Sequence, residues 1–182
     1  MPHSGTANSM EQESRSISYQ SVTHKRIYSL MHRVDADSLM AAHDKQKTHK
    51  AVGFDGVGKD MYGQNLLGNV LDLVERMKTF DYVPQPVRRT YIPKANGKLR
   101  PLGIPAYEDR LVQRVMADIL TEVYEPRFLN CSHGFRPGRS AHEVVRYINK
   151  VMMCGRVNYV LEADIKGFFD NVDQSWLLKF LE

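Results

Sequence analysis

Two extended runs joined by a glycine-containing turn constrain this chain most. Arg88-Arg89-Thr90-Tyr91-Ile92-Pro93-Lys94 and Lys98-Leu99-Arg100-Pro101-Leu102-Gly103-Ile104-Pro105 flank Ala95-Asn96-Gly97. Such runs around an Asn-Gly pair predict a β-hairpin. The sequence on either side is helical in pattern. Leu66, Leu67, Val70, Leu71, Val74 and Met77 share a face of a predicted helix over 60–80, which Pro84 and Pro86 are expected to end. Leu111, Val112, Val115, Met116, Ile119, Leu120 and Val123 form the stripe of a second helix over 107–125. Asp109, Arg110, Gln113 and Arg114 fall on its polar side, where internal ion pairing suits Arg110. A hairpin set between such helices predicts an α+β fold.

Between Arg88 and Arg100 the hairpin carries five basic residues and no acidic one. That charge is costly on an exposed hairpin unless an anion sits on it. Edge protection is the other reading, because Lys and Pro keep a strand from pairing with its neighbours. Composition leaves both open. The net charge of +4 and pI near 9.0 are compatible with a nucleic-acid partner. A length of 182 residues suffices for one domain with a core, or one and a part. No apolar run reaches membrane-spanning length and no signal-peptide pattern is present, so a cytoplasmic protein (bacterial or organellar interior) is expected. Cys131 and Cys154 lack zinc-site spacing and are expected as reduced thiols.

Residues 1–20, rich in Ser, Gln and Glu, read as a disordered or tag-derived tail. Ile27, Leu30, Met31 and Val34 then form an amphipathic stripe with Thr23 as candidate cap, and a further helix is expected over Asp37 to Gln46. Residues 47–59 contain Gly53, Gly56 and Gly58 among lysines and read as a loop. Such a loop can cradle phosphate, although its spacing excludes a nucleotide P-loop. His133-Gly134-Phe135-Arg136-Pro137-Gly138-Arg139 is a second loop, with Ser140 as cap of a helix to Met153. Its two guanidiniums bond carbonyls or face phosphate. His133 and His142 read as packing residues. Tyr159 to Ile165 suits a short strand carrying Asp164 to its end, followed by a turn at Gly167 and a helix capped by Asp173. An Asp so placed is a cap or a ligand for a hard cation such as Mg²⁺. Trp176, Leu177 and Phe180 form the apolar face of the last helix.

Four of these motifs, in this order, resemble the reverse transcriptases encoded by group II introns, the maturases. They are Gly53-x-Asp55-Gly56-Val57, the hairpin from Ile92 to Pro105, the 133–140 loop, and Glu162-Ala163-Asp164-Ile165-Lys166-Gly167-Phe168-Phe169-Asp170-Asn171. The resemblance covers roughly residues 50–182. It implies a helical N-terminal extension over 21–86, fingers over 87–156 and the start of a palm, with an incomplete sheet, over 157–182. It implies Asp164 as a catalytic carboxylate that binds Mg²⁺ with the Ile165 carbonyl, and Phe169 as the aromatic beneath the incoming sugar. Lys94 and Arg100 become contacts to the dNTP triphosphate. Lys50, Gly53, Arg88, Arg89, Lys98, Arg136 and Arg139 are candidate RNA contacts.

The implied parent is an RNA-directed DNA polymerase acting on an RNA template, a DNA primer and dNTPs, with intron RNA binding for splicing. The family's Tyr/Phe-x-Asp-Asp run, which supplies the remaining metal carboxylates, does not occur in this sequence. Without it the chain alone is expected not to catalyse the reaction. Asp170 and Asp173 are expected to cap a helix rather than substitute for it. An unpartnered palm strand predicts a homodimer or a complementing C-terminal polypeptide. The alternative is a non-catalytic RNA-binding maturase module.

Overall fold

The stripe expected over 107–125 folds as a helix, and the rest of the first core is built on it. The computed structural model describes residues 30–181, apart from Asn96 and Arg156. The expected tail and the start of the first stripe, including Thr23 and Ile27, lie outside the described residues. Two compact units result, one holding residues 30–124 and the other 125–181.

In the first unit a 3-10 turn, Leu30–Arg33, leads into α1, Ala36–Asp44. Asp35 and Ser38 close a reciprocal capping box on α1: the Ser38 N–H donates to Asp35 Oδ1 at 2.8 Å, and the Asp35 N–H donates to Ser38 Oγ at 3.1 Å. The single helix expected over 60–80 is two, α2 (Lys59–Gly63) and α3 (Leu66–Lys78). Asn69 bridges the break by donating to the Tyr62 carbonyl at 3.0 Å.

The buried face of α3 is also turned from the expected one. Val70, Leu73 and Val74 are buried, whereas Leu67 and Leu71 are exposed. Leu73 completes the 3.6-residue pattern with Leu66, Val70 and Met77, which leaves Leu67 and Leu71 past its edge. Nor do the prolines end the helix. Lys78 is the last helical residue and Thr79 its C-cap, Phe80 takes the left-handed backbone (φ 63°), and the Asp81 N–H reaches back to the Arg76 carbonyl at 2.8 Å. This six-to-one closure stops the helix before Pro84.

The hairpin forms as expected: β1 (Arg88–Pro93) pairs antiparallel with β2 (Leu99–Ile104), from Arg88 opposite Ile104 to Pro93 opposite Leu99. Helix α4, Tyr107–Tyr124, follows directly. Helix α1 packs on both α3 and α4. Leu39, Val70, Leu73 and Leu111 are wholly buried at their junction. Burial of each such side chain stabilises by about 1.5–3 kcal/mol.

The second unit holds a 3-10 turn (Glu125–Arg127), helix α5 (Ala141–Cys154), a further 3-10 turn (Phe169–Asn171) and helix α6 (Gln174–Leu181). Ser140 caps α5 as expected, accepting from the Glu143 N–H at 3.4 Å. Asp173 holds the start of α6, accepting from the Ser175 N–H at 2.8 Å, the Ser175 hydroxyl at 2.6 Å and the Trp176 N–H at 3.3 Å. One expectation is corrected. Residues 159–165 form no strand, and the described residues contain a single two-stranded sheet. A strand exists through its ladder, and no described segment pairs with this one.

Candidate functional site

The hairpin register sorts its charges. Directly paired residues share a side, and sides alternate along each strand. Arg88 and Arg100 therefore fall on one side of the ribbon, with Ile92 and Ile104. The Lys94 N–H donates to the Lys98 carbonyl at 2.7 Å, which extends the alternation by one pair and adds Lys94 and Lys98 to that side. Arg89 falls on the other, with Tyr91 and Leu99. The connection is a three-residue loop in which Gly97 is left-handed (φ 76°) and donates to the Lys94 carbonyl at 2.9 Å. Lys94 and Arg100 are brought together in a shallow groove of about 420 Å³ that they share with Ile92, Pro93 and Ala95. Arg88 is engaged elsewhere: its Nε donates to the Val52 carbonyl at 3.0 Å.

The 47–59 loop has two halves. Lys47, His49 and Lys50 line a groove of about 290 Å³ with Lys59, Tyr107 and Arg110. Lys59 also closes the loop's start by donating to the carbonyls of Asp44 (3.0 Å) and Gln46 (2.7 Å). The second half touches the rest of the unit through Gly53 and Asp55. Gly53 is buried, and a Cβ there would lie 2.5 Å from the Pro105 carbonyl oxygen. The space beside it is filled by the backbone of Pro105 and Ala106. Asp55 accepts the Tyr107 N–H at 2.8 Å through Oδ2 and the Val57 N–H at 3.2 Å through Oδ1. A carboxylate from far back in the chain thus satisfies the first N–H of α4. Among the described residues Arg110 bonds carbonyls in place of the expected ion pair. Its Nε donates to the Pro105 carbonyl at 3.1 Å and its Nη2 to the Ala51 carbonyl at 2.5 Å.

In the 133–140 loop the two guanidiniums part ways. Arg136 turns inward, bonding Glu125 Oε1 (2.7 Å), the Leu129 carbonyl (2.9 Å) and the Ser132 carbonyl (2.8 Å), and lies over the Phe128 ring. It orders the loop through groups that a phosphate would otherwise have to displace. The same hydrogen bond holds the Glu125 carboxyl below the usual carboxylate range. Arg139 stays exposed. His133 lies 3.8 Å from Glu143 and packs, as expected.

Asp164, Ile165 and Phe169 are all exposed. Gly167 is left-handed (φ 63°), and the Asn171 side-chain amide donates to its carbonyl at 2.7 Å, which fixes the turn between Asp164 and α6. Rings of Phe168 and Phe169 meet edge to face at 5.4 Å. Asp173 is engaged in its cap, and its carboxyl is held below the ordinary range by the Ser175 hydroxyl. The described residues hold no cluster of three or more metal-ligating side chains.

Sequence reasoning missed a polar network under the first unit. Glu108 accepts from Tyr62 (3.3 Å) and from Arg76 (2.8 Å), and Arg76 also bonds Asp72 (2.7 Å). Asp109, placed on a polar side from the sequence, is buried and accepts from the Tyr82 hydroxyl and the Gln85 N–H (3.0 Å). His43 is buried against the Tyr107 hydroxyl at 2.9 Å. Burial pushes the Tyr107 phenol up to about 12 and raises Tyr62 and Tyr82 further. Burial, with Lys59 next in effect, lowers the pKa of His43. The Tyr107–Leu111–Val115 spacing was the available signal for Tyr107; Asp109 had none, because its partners are distant in sequence.

The family model for reverse transcriptase (RNA-dependent DNA polymerase) matches residues 92–182. Protein YkfC of Escherichia coli (strain K12) is 43% identical over 130 residues, 70% of this chain and 34% of YkfC. The group II intron-encoded protein LtrA of Lactococcus lactis subsp. cremoris is 46% identical over 107 residues, 58% of this chain and 18% of LtrA. A 91 kDa protein in the cob intron of Schizosaccharomyces pombe is 32% identical over 149 residues, 81% of this chain and 18% of that protein. The chain belongs to the reverse transcriptase family, within it to the group II intron reverse transcriptases and maturases. It spans about a third or less of the length of these curated relatives. No helix among the described residues is long and apolar enough to cross a membrane.

Proposed function

We propose that this chain is the N-terminal part of an RNA-directed DNA polymerase of the group II intron kind. One observation carries the reading: Lys94 and Arg100 share a groove on the strongly basic side of an exposed hairpin. There they bind the triphosphate of an incoming dNTP, Arg100 bidentately and Lys94 as a point charge. Positive charge at that place offsets the charge that builds on the leaving pyrophosphate as a primer 3′-OH attacks the α-phosphate. Asp164 and the Ile165 carbonyl would contribute to holding Mg²⁺, which when bound supplies Lewis acidity to the phosphoryl oxygens. Phe169 stands beneath the sugar and excludes a 2′-OH. Lys50, Arg89, Lys98 and Arg139, all exposed, contact template or intron RNA. The exposed apolar residues of α5 and α6 support association with a second copy or a complementing polypeptide.

Primer extension by the 182-residue chain tests the catalytic part, with and without Mg²⁺. No extension is expected; metal-dependent extension would show that the site is complete within the chain. A second reading, an RNA-binding maturase module, is favoured by the basic groove beside Lys47 and Lys50. Titration into a structured intron RNA at two salt concentrations, against an unrelated RNA of equal length, separates the two. Preference that survives salt supports the module. Equal binding with a steep salt slope supports a polymerase cleft.

A further inference from the structure

The hairpin is held by little. None of its strand residues is buried, and only Thr90 and Ile104 reach intermediate burial, so burial does little to fix its pose. Its approach to the core is fixed by one loop. Arg88 of β1 bonds the Val52 carbonyl, and Arg110 bonds the carbonyls of Ala51 on the loop and Pro105 just past β2. Asp55 closes on the Tyr107 N–H, two residues beyond that proline. Gly53 lets the loop backbone lie against Pro105 and Ala106 where any side chain would collide. The loop therefore touches the entry of β1, the exit of β2 and the first turn of α4.

We propose that the 51–57 loop is a clamp that sets the pose of the hairpin, with Gly53, Asp55 and Arg110 as positioning residues for the nucleoside triphosphate bound by Lys94 and Arg100. This rests on the reading of those two cations as triphosphate ligands. None of the three positioning residues lines the Lys94–Arg100 groove. Their effect on the ligand is transmitted through the carbonyls of residues 51, 52 and 105. A displacement of about 1 Å is enough to weaken a positioned contact strongly.

The full chain tests the proposal, with Cys131 and Cys154 replaced by Ser and spin labels at Ala95→Cys on the hairpin and Glu75→Cys on α3. Pulsed dipolar spectroscopy should give one narrow distance distribution, and Asp55→Ala, Gly53→Ala and Arg110→Lys should each broaden it. Asp55→Asn, which keeps one acceptor, should fall between. Mg·dATP binding, followed by NMR shifts of the hairpin amides, should weaken about tenfold in the same variants. Removing the Asp55 carboxylate would by charge alone favour an anion, so weaker binding there reports pose. Thermal unfolding identifies any variant that does not fold; Gly53→Ala, which acts by steric contact, and Arg110→Lys, which keeps the charge, are independent of Asp55. The control Lys94→Ala/Arg100→Ala should lose binding and keep the narrow distribution. Narrow distributions and unchanged affinity in all three clamp variants would overturn the proposal. Broadened distributions in a chain whose wild type does not bind Mg·dATP would sustain the clamp and overturn the triphosphate reading.

Discussion

Residues 30–124 and residues 125–181 answer the same solvent differently. The first unit buries a cluster from Val34 to Ile119 and hides polar groups with their partners arranged. In the second, no described residue is buried, and Val145, Ile148, Met152, Trp176 and Phe180 all stand exposed. Its order is local: two capped helices, a guanidinium-locked loop and a glycine turn. The clamp and the basic hairpin belong to the unit with a core, whereas Asp164 and Phe169 belong to the unit without one. The groove proposed for the triphosphate thus rests on a unit with a core, and the carboxylate proposed for the metal does not.

Truncations sharpen this contrast most. Leu111→Ala should cost about 2–5 kcal/mol in urea unfolding, because it empties the centre of the first core. Ile148→Ala on α5 should change stability by about 0.5 kcal/mol or less. Equal losses would break the comparison. Asp109→Ala should cost about 1–3 kcal/mol, since Tyr82 and the Gln85 N–H lose their acceptor, while Asp109→Asn should recover part of this.

The pH dependence of the first unit is a smaller effect. His43 has a folded pKa below its ordinary 6.5, so the unfolded chain binds the extra proton first. Stability should be full above pH about 6.5, fall as pH drops below it, and level off below the folded pKa. Chemical denaturation between pH 7.5 and 5 measures this, and His43→Gln should flatten the slope. A small change of the opposite sign should come from Phe80→Gly. It relieves the left-handed backbone at the end of α3, by about 0.5–1 kcal/mol after the flexibility added to the unfolded chain is subtracted.

What the sequence made legible was whatever neighbouring residues decide. The hairpin, α4, and the caps at Ser140 and Asp173 each rest on side chains within a few positions of the backbone they organise. What stayed hidden depends on distant partners. Asp55 reads as a loop residue until Tyr107 is beside it, and for Arg136 the sequence leaves carbonyl bonding and phosphate contact both open until Glu125 and two carbonyls are seen at its donors. The 159–165 run has strand composition, but composition supplies no ladder. Leu67 and Leu71 were misplaced for a geometric reason: several apolar residues crowd α3, and contact with α1 decides which of them turn inward.

The phenols of Tyr62, Tyr82 and Tyr107 give the first unit an optical signature. Exposed tyrosines ionise near pH about 10 and absorb as phenolate near 295 nm (about). These three, with their protons held by burial and acidic neighbours, stay colourless at that wavelength well past that point. In a rapid jump to alkali, absorbance should therefore rise in two phases. The slow phase would time the opening of the unit that carries the clamp, with no label attached.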